Sequence, residues 1–424
     1  MRKTIAARIA ELSARVARVA AAAMLTAILA ACATNLGGDT TATTASLKPL
    51  ETPVVAQRQR PVKIAMLLPL AGFEQAAVVG KAMKQAGEMA LFEIDNPAVQ
   101  LVVKDDKGTA EGAKAAAEEA IKEGAEIILG PLLSRAVPGA ASVAKPAGIP
   151  VIAFSNDRQV AGNGVYLMSF LVEPEVARVV SYAATQGKRR FAALVPDDAY
   201  GRSIEPAFRD AVARAGGSIA AIENYPVHAN GMLDPAKRVM AAVKAGEHEG
   251  QPVDALFIPG GPDQLPQLGP LIAYSGVDTA KVKLLGTGAW DYPNIGRDAA
   301  FVGGWFAGAD PRGFSEFSQR FAKTFGSAPP RIATLAYDAV TLAVSLSQNA
   351  PGSRYTLANL TRTSGFGGID GTLRFGSNGT TERDLAILEV QSFGSAIVDA
   401  AQSTWAGNQL SQQSRGQEAA DRVN

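Results

Sequence analysis

Short apolar runs alternate with longer alanine-rich amphipathic segments over most of this chain. Most of the runs are continuously apolar, which is typical of strands buried on both faces of a parallel sheet. Because a segment of helical periodicity follows each run, the pattern predicts repeated strand–helix–strand units. The predicted strands are residues 63–70, 99–106, 126–131, 150–157, 190–198, 218–226, 255–261 and 283–289.

The predicted strands fall into two groups of four. The segment LMSFLVEPE, residues 167–175, separates the groups. Eight strands could also close a single barrel, but this break favours two separate sheets. We therefore predict an α/β fold of two Rossmann-like lobes with a ligand cleft between them. In open α/β sheets the cleft lies beyond the carboxyl ends of the strands.

The residues that follow the predicted strands are Gly, Ser, Asp and aromatic residues rather than His or Lys. This set suits hydrogen bonding to a small polar ligand and offers little for acid–base catalysis. The chain has two histidines, His228 and His248, and no G-x-S-x-G nucleophile motif. We predict no enzymatic activity, no cofactor and no metal site. The formal charge of +1, from 41 basic and 40 acidic residues, argues against a nucleic-acid partner.

The N-terminal segment has the residue order of an export signal. Basic residues precede an apolar run, residues 20–31, which is too short to span a membrane. Leu29-Ala30-Ala31-Cys32 looks like a bacterial lipobox, so we predict a lipoprotein signal peptide over residues 1–31 and lipidation of Cys32. The alternative is an ordinary signal peptide with an incidental cysteine. Ala33 stands where an aspartate would retain the protein at the inner membrane, so we predict an outer-membrane anchor facing the periplasm.

Two polar segments flank the predicted lobes. Residues 32–60 are rich in Thr, Ala and Pro, and residues 396–424 are rich in Gln and Ser with Trp405 as the only large apolar group. Neither segment has apolar periodicity, so we predict a disordered tether and a disordered tail. The alternative for the tail is a helix that docks on the lobes.

Several motifs, in their order along the chain, carry a resemblance to a known family. KIAMLLPLAG, EIILGPLLS, AGIPVIAFSND and RFAALVPDDAYG together resemble the type I periplasmic binding proteins of the leucine/isoleucine/valine-binding type. GPLLS, VIAFSND and the later GIDGTLRFGSNGTTERDLAILEV are most similar to penicillin-binding protein activator lipoproteins. The resemblance implies three crossings between the lobes, near residues 170, 310 and 375. The implied bounds are 61–170 and 311–375 for lobe I and 171–310 and 376–395 for lobe II.

The resemblance also implies a ligand site. Ser134 and Ser155 match the family positions that hold an amino-acid carboxylate, although either serine could instead cap the helix that follows it. Tyr200 matches a tyrosine that closes from the other lobe. The family position for the acid that pairs with the amino group holds Ala289, which leaves an ammonium group without a counter-charge unless another acid replaces it, the candidates being Asp263, Asp291 and Glu74. The predicted ligand-binding residues are Ser134, Ser155, Asn156, Tyr200, Phe73, Glu74, Asp263 and Trp290.

Two hypotheses for the function follow from the resemblance. The first is a lipid-anchored regulator of peptidoglycan synthesis that activates a penicillin-binding protein. The second is a solute-binding lipoprotein that delivers an amino acid or a similar small polar ligand to an ABC transporter. The aromatic cluster that includes Trp290 and Trp305 fits a core, a cleft lining or a partner anchor, and the sequence leaves these three roles open.

Overall fold

The computed structural model describes residues 61–71, 74–228, 231–248 and 250–402. Its strands, in chain order, are β1 (Val62–Leu68), β2 (Val99–Asp105), β3 (Ala125–Leu129), β4 (Val151–Ala153), β5 (Val165–Leu167), β6 (Arg190–Pro196), β7 (Ser218–Tyr225), β8 (Ala255–Phe257), β9 (Lys283–Gly286), β10 (Trp305–Gly308), β11 (Phe366–Gly368), β12 (Gly371–Phe375), β13 (Thr381–Arg383), β14 (Leu385–Val390) and β15 (Ser395–Gln402). Its α-helices are α1 (Glu74–Ile94), α2 (Ala110–Lys122), α3 (Val137–Ala144), α4 (Val172–Thr185), α5 (Ala199–Arg214), α6 (Leu233–His248), α7 (Leu265–Ser275), α8 (Pro311–Phe325), α9 (Ala333–Ser347) and α10 (Leu357–Leu360).

The first sheet is parallel and has the strand order β2-β1-β3-β4-β5. Alternate residues of β1 are buried on opposite faces of this sheet. Ile64 and Met66 pack with α1 and α9, whereas Ala65 and Leu67 pack with α2 and α3. Because helices cover both faces, the strand reads in the sequence as one continuous apolar run.

The second sheet has the strand order β15-β14-β10-β9-β8-β6-β7. The strands β10, β9, β8, β6 and β7 pair in parallel. At the other edge β14 pairs antiparallel with both of its neighbours, β10 and β15. Leu194 of β6 faces α6 and α7, and its neighbour Val195 faces α4 and α5. Two sheets, each covered by helices on both faces, form two lobes and confirm the predicted α/β fold.

Lobe I comprises the first sheet, the helices α1–α3 and α8–α10, and a small antiparallel sheet formed by β11, β12 and β13. Leu373 and Phe375 of β12 belong to the same buried core as β1, and the rings of Phe375 and Tyr166 lie 5.5 Å apart between centroids. Lobe II comprises the second sheet and the helices α4–α7. Each lobe is therefore assembled from segments that are far apart in the sequence.

The chain crosses between the lobes at three places. The first crossing lies between β5 and α4 and the second between β10 and α8. The third crossing lies at Asp384, between β13 and β14, rather than near residue 375 as the resemblance implied. The difference arises because β13 pairs with β12 and the hydroxyl of Thr381 donates to the Leu167 carbonyl, which attaches residues 376–383 to lobe I.

The predicted disordered tail begins too early. Residues 395–402 form β15, which pairs with β14 along its length, so the prediction of disorder is wrong for residues 396–402. Asp399 of this strand forms an ion pair with Arg178 of α4. The remainder of the predicted tail, including Trp405, lies outside the described residues.

The predicted signal peptide, Cys32 and the tether over residues 32–60 also lie outside the described residues. In the part of the chain that the structure does describe, no helix combines the length and the apolar character needed to cross a membrane.

Candidate functional site

A cavity of about 990 Å³ lies between the two lobes. Ser134 and Asn156 line it from lobe I, beyond the ends of β3 and β4, and Tyr200 of α5 lines it from lobe II. Phe170 and Leu385, which lie at the first and third crossings, complete the wall on the side where the lobes are joined. The cavity therefore lies where the topology predicts a ligand cleft.

Three of the predicted ligand-binding residues meet in the wall of this cavity, namely Ser134, Asn156 and Tyr200. Ser134 begins a short 3₁₀ helix, and Asn156 lies on an exposed loop. The Tyr200 hydroxyl lies 2.8 Å from the Thr287 hydroxyl, within hydrogen-bond distance. Burial raises the pKa of Tyr200, which keeps its hydroxyl protonated and able to donate a hydrogen bond.

Three other predicted residues lie away from the cavity wall. Ser155 is buried, and its hydroxyl accepts a hydrogen bond from the Asp157 N–H at 3.1 Å, so it stabilises a turn. Asp263 is exposed at the start of α7, where its carbonyl accepts from the Gln267 side chain. Trp290 is fully buried in the core of lobe II, and its indole N–H donates to the Ile258 carbonyl at 3.0 Å. The structure therefore places these three side chains outside the cavity wall.

Phe73 and the side chain of Glu74 lie outside the described residues, so their predicted contacts with the ligand stay predictions. Adjacent aspartates follow two of the predicted strands, at residues 105–106 and 197–198. Asp198 caps α5 by accepting from the Gly201 N–H at 2.8 Å, and Asp106 accepts from the Gly108 N–H at 2.8 Å. These two side chains therefore stabilise a helix start and a turn.

A carboxylate that the sequence analysis missed lies in the cavity wall. Glu175, in the first turn of α4, accepts a hydrogen bond from the Gly288 N–H at 2.9 Å. A Cβ atom at position 288 would lie 2.9 Å from a Glu175 oxygen, so a side chain there would displace the carboxylate. Burial raises the pKa of Glu175 to about 7, and the hydrogen bond from Gly288 opposes the rise. Two of the described acids that line the cavity, Glu175 and Asp157, form no ion pair. Glu175 is the one that lies beside Gly288 and Ala289, where a cationic group can neutralise it.

Asp291, which we considered as a replacement counter-charge, also lines the cavity. Its carboxylate already faces a cation, because one Asp291 oxygen lies 3.8 Å from the Arg331 guanidinium. A second ion pair, between Arg158 of lobe I and Glu173 at the start of α4, spans 3.3 Å beside the cavity. Across the described residues, no cluster of three His, Cys, Asp or Glu side chains is arranged to hold a metal ion.

The two serines are expected to respond differently to substitution. Ser155→Ala should lower the free energy of unfolding by about 1 kcal/mol, because it removes a buried hydrogen bond, and should leave ligand affinity unchanged. Ser134→Ala should weaken ligand binding at little cost in stability. Urea denaturation and titration calorimetry on the same two variants measure both quantities. If Ser155→Ala lost ligand affinity and Ser134→Ala did not, the assignment of Ser134 to the cleft would be contradicted.

A family model described as "Periplasmic binding protein" matches residues 61–395, which is most of the chain. The chain belongs to the periplasmic binding protein family. A curated relative, an uncharacterized protein of Rickettsia prowazekii strain Madrid E, is 26% identical over 169 residues. That match covers 40% of this chain and 44% of the relative, so it spans less than half of the relative's length.

Solved structures of periplasmic binding proteins share the fold of this chain. A putative branched-chain amino acid ABC transporter protein from Rhodospirillum rubrum has a TM-score of 0.68 at 19% identity, covering 80% of this chain and 100% of the other. An ABC transporter substrate-binding protein from Desulfitobacterium hafniense in complex with Leu has a TM-score of 0.58 at 21% identity, covering 80% and 100%. A solute-binding protein of an ABC transporter from Rhodopseudomonas palustris BisB5, in complex with 3,4-dihydroxybenzoic acid, has a TM-score of 0.57 at 19% identity, covering 82% and 99%.

Membership of the periplasmic binding protein family confirms the resemblance to the leucine/isoleucine/valine-binding type and the two-lobed fold. Proteins of this family bind solutes and are not enzymes, which confirms the prediction of a non-enzymatic protein. The comparisons favour the second functional hypothesis, solute binding for an ABC transporter, over the first. They offer no support for a penicillin-binding protein as partner.

Proposed function

We propose that this chain is the solute-binding protein of an ABC transporter and that its cleft binds a small zwitterionic ligand of the amino-acid type. The observation that carries the proposal is Glu175, a cavity carboxylate beside Gly288 that forms no ion pair with another described residue. The family position for the acid that pairs with the ammonium group holds Ala289 in this chain, so an amino-acid ligand needs a carboxylate from another residue. Glu175 supplies a carboxylate in the same cavity, next to Ala289 and Gly288.

The opposite side of the cavity suits the carboxylate of such a ligand. Ser134 and Asn156 present neutral hydrogen-bonding side chains there. Asp157 also lines this side, and one of its oxygens accepts a hydrogen bond from the Gln159 N–H at 3.0 Å. A buried ammonium group without a partner costs several kcal/mol, so its pairing with Glu175 decides whether a zwitterion can bind. The complex of a fold relative with Leu supports this choice of ligand class.

A thermal-melt panel of the purified full chain in detergent, against the twenty amino acids and short peptidoglycan peptides, tests the proposal. A ligand at about 100 times its dissociation constant adds roughly 2.7 kcal/mol to the free energy of unfolding. We therefore expect the melting temperature to rise by a few degrees with at least one amino acid.

Sugars of similar size serve as the control set, because they lack an ammonium group. A panel in which no amino acid raises the melting temperature would contradict the proposal. In that case, pull-downs with peptidoglycan synthases would examine the first hypothesis.

We also propose that Cys32 carries a lipid anchor that holds the lobes at the periplasmic face of a membrane. The supporting observation is the lipobox-like sequence that ends at Cys32. The Cys32→Ser variant should lose incorporation of labelled palmitate completely and appear in the soluble periplasmic fraction. Because Ala33 follows the cysteine, the unsubstituted chain should sediment with outer membranes in a sucrose gradient. Palmitate labelling that persists in Cys32→Ser would contradict the anchor.

A further inference from the structure

An arginine at the third crossing is buried without a hydrogen-bond partner. Arg383 ends β13, lines the cavity and is 5% exposed. None of its three guanidinium nitrogens makes a hydrogen bond to another described residue. A buried charge in this state is unfavourable, so the site favours any group that can pair with it.

The one carboxylate that faces Arg383 compensates its charge incompletely. An oxygen of Asp338 lies 3.8 Å from a terminal nitrogen of Arg383, which is beyond hydrogen-bond distance. The other oxygen of Asp338 accepts from the Ile369 N–H at 2.8 Å. Burial raises the pKa of Asp338 to about 7, against the influence of Arg383, so part of the Asp338 population is protonated near neutral pH. Asp338 therefore compensates the positive charge of the Arg383 guanidinium only in part.

The neighbouring arginine is different. A terminal nitrogen of Arg331 lies 2.7 Å from a carboxylate oxygen of Asp370 and 3.8 Å from one of Asp291. Arg331 is thus neutralised from within the protein. Both guanidinium groups lie against the ring of Phe170, at 5.1 Å for Arg383 and 5.8 Å for Arg331.

Phe170 and Arg383 both line the cavity, and the Arg383 guanidinium lies 5.1 Å from the centroid of the Phe170 ring. The ring is partly exposed, so its rotation would widen the access of the cavity contents to Arg383. A guanidinium group binds a carboxylate through two parallel hydrogen bonds, which matches the unused donors of Arg383.

We propose that Arg383 binds an acidic group of the ligand, so that the cleft selects a zwitterion with an additional carboxylate over its neutral counterpart. This inference rests on the proposed function of the cleft. Glu175 then pairs with the ammonium group and Arg383 with the side-chain acid. The ligand class becomes the acidic amino acids and molecules of the same charge pattern.

Calorimetric titration of the full chain with L-glutamate and L-glutamine tests the inference, because these ligands have nearly the same shape and differ in side-chain charge. L-aspartate and L-asparagine form a second such pair. We expect the acidic member of a pair to bind at least about tenfold more tightly than the neutral member, since a charge-assisted pair is lost in the latter.

The Arg383→Met variant should abolish this preference, and Arg383→Lys should retain part of it. Since Arg383→Met leaves Asp338 buried without a cation, the double variant with Asp338→Asn protects the fold, and Asp338→Asn alone serves as the control that keeps the preference. Equal affinity for both members, or preference for the neutral one, would overturn the inference and leave the proposed function intact. A positive thermal panel without binding of either acidic ligand would also overturn it, whereas a panel without any binding would overturn the proposed function itself.

Discussion

Glu175→Gln is expected to lower the affinity for an amino-acid ligand by about 100-fold or more. Removing one partner of a buried ion pair costs about 3–5 kcal/mol because the other charge stays buried and unpaired, and each 1.4 kcal/mol is a factor of ten in affinity. Glutamine keeps the shape of the side chain and an oxygen that can accept from the Gly288 N–H. The variant therefore tests the charge, and titration calorimetry measures the loss.

Glu173→Gln is the matched control for this variant. Glu173 lies two residues before Glu175 in the same helical turn and lines the same cavity, but its carboxylate pairs with Arg158. This pair is partly exposed to solvent, so the substitution should change affinity by less than about 1 kcal/mol. If Glu175→Gln bound the ligand as tightly as the Glu173→Gln control, Glu175 could not be the counter-charge for the ammonium group.

The pH dependence of binding provides a second readout of the same carboxylate. With the pKa of Glu175 raised to about 7, the ligand-free protein is mostly protonated at this site below that pH. An ammonium group pairs with the ionised form only, so affinity should rise about tenfold per pH unit up to pH 7 and then level off.

The stability of the ligand-free protein depends on pH in the opposite direction, because it falls as the pH rises. Because the folded-state pKa of Glu175 lies above its ordinary value of 4.5, the folded protein holds the proton more strongly. The contribution of Glu175 to the free energy of unfolding is present at low pH and is lost as the pH rises through about 7. Glu175→Gln should remove both dependences, which calorimetry and urea denaturation at a series of pH values can show.

Trp290→Ala is expected to lower the free energy of unfolding by about 3–5 kcal/mol, the usual range for a large aromatic residue in a core. The ring of Trp290 is fully buried and lies edge-on to Phe301, with 5.3 Å between centroids. It also packs against the backbone at Gly286, where a Cβ atom would lie within 2.2 Å of the indole. Loss of the indole N–H leaves the Ile258 carbonyl unpaired, which adds to the cost.

Urea denaturation of Trp290→Ala beside Tyr274→Ala separates a core role from a general aromatic effect. Tyr274 is 89% exposed, so its substitution should change stability by less than about 0.5 kcal/mol. Trp290→Phe should lose less stability than Trp290→Ala, because it keeps an aromatic ring and loses the N–H donor to Ile258, and it should bind ligand as the original chain does. A Trp290→Phe variant that folded but lost ligand affinity would restore Trp290 to the cleft.

Eight of the ten described strands in parallel pairs could be predicted from the sequence, because the apolar surroundings of a buried strand require apolar residues in the strand itself. The strands β5 and β10 were not predicted. A strand such as β1, covered by helices on both faces, must be apolar throughout, and each of the eight predicted runs overlaps a strand of the structure. The edge strand β15 is different, since Ile397 and Val398 are both 40% exposed and no face is consistently buried. Its position depends on β14 and on Arg178, 221 residues before Asp399 in the chain. Such a strand is not visible in a local pattern.

Site residues that directly follow a strand could be predicted from the sequence. Site residues whose position depends on a crossing between the lobes could not. Ser134 and Asn156 follow β3 and β4, where the topology rule expects the cleft, and the resemblance to the family assigned Ser134 to the ligand. Glu175 follows no strand, and an acid in the first turn of a helix is common because it opposes the helix dipole. Its role depends on Gly288, 113 residues later, which donates to it. Arg383 was missed for the same reason, since its buried position results from a crossing placed at Asp384.

Lobe I is assembled from segments that lie far apart in the sequence, which affects how the chain folds during synthesis. The core around β1 is completed by Phe317 of α8, by α9 and by Phe375 of β12. At roughly 5–20 residues per second, the ribosome needs on the order of 10–40 s after β5 to supply these residues. Throughout that interval the first sheet lacks the helix α9 that covers one of its faces, while lobe II can already assemble most of its own core. The last-made half of lobe I therefore sets the moment at which the first-made half becomes stable.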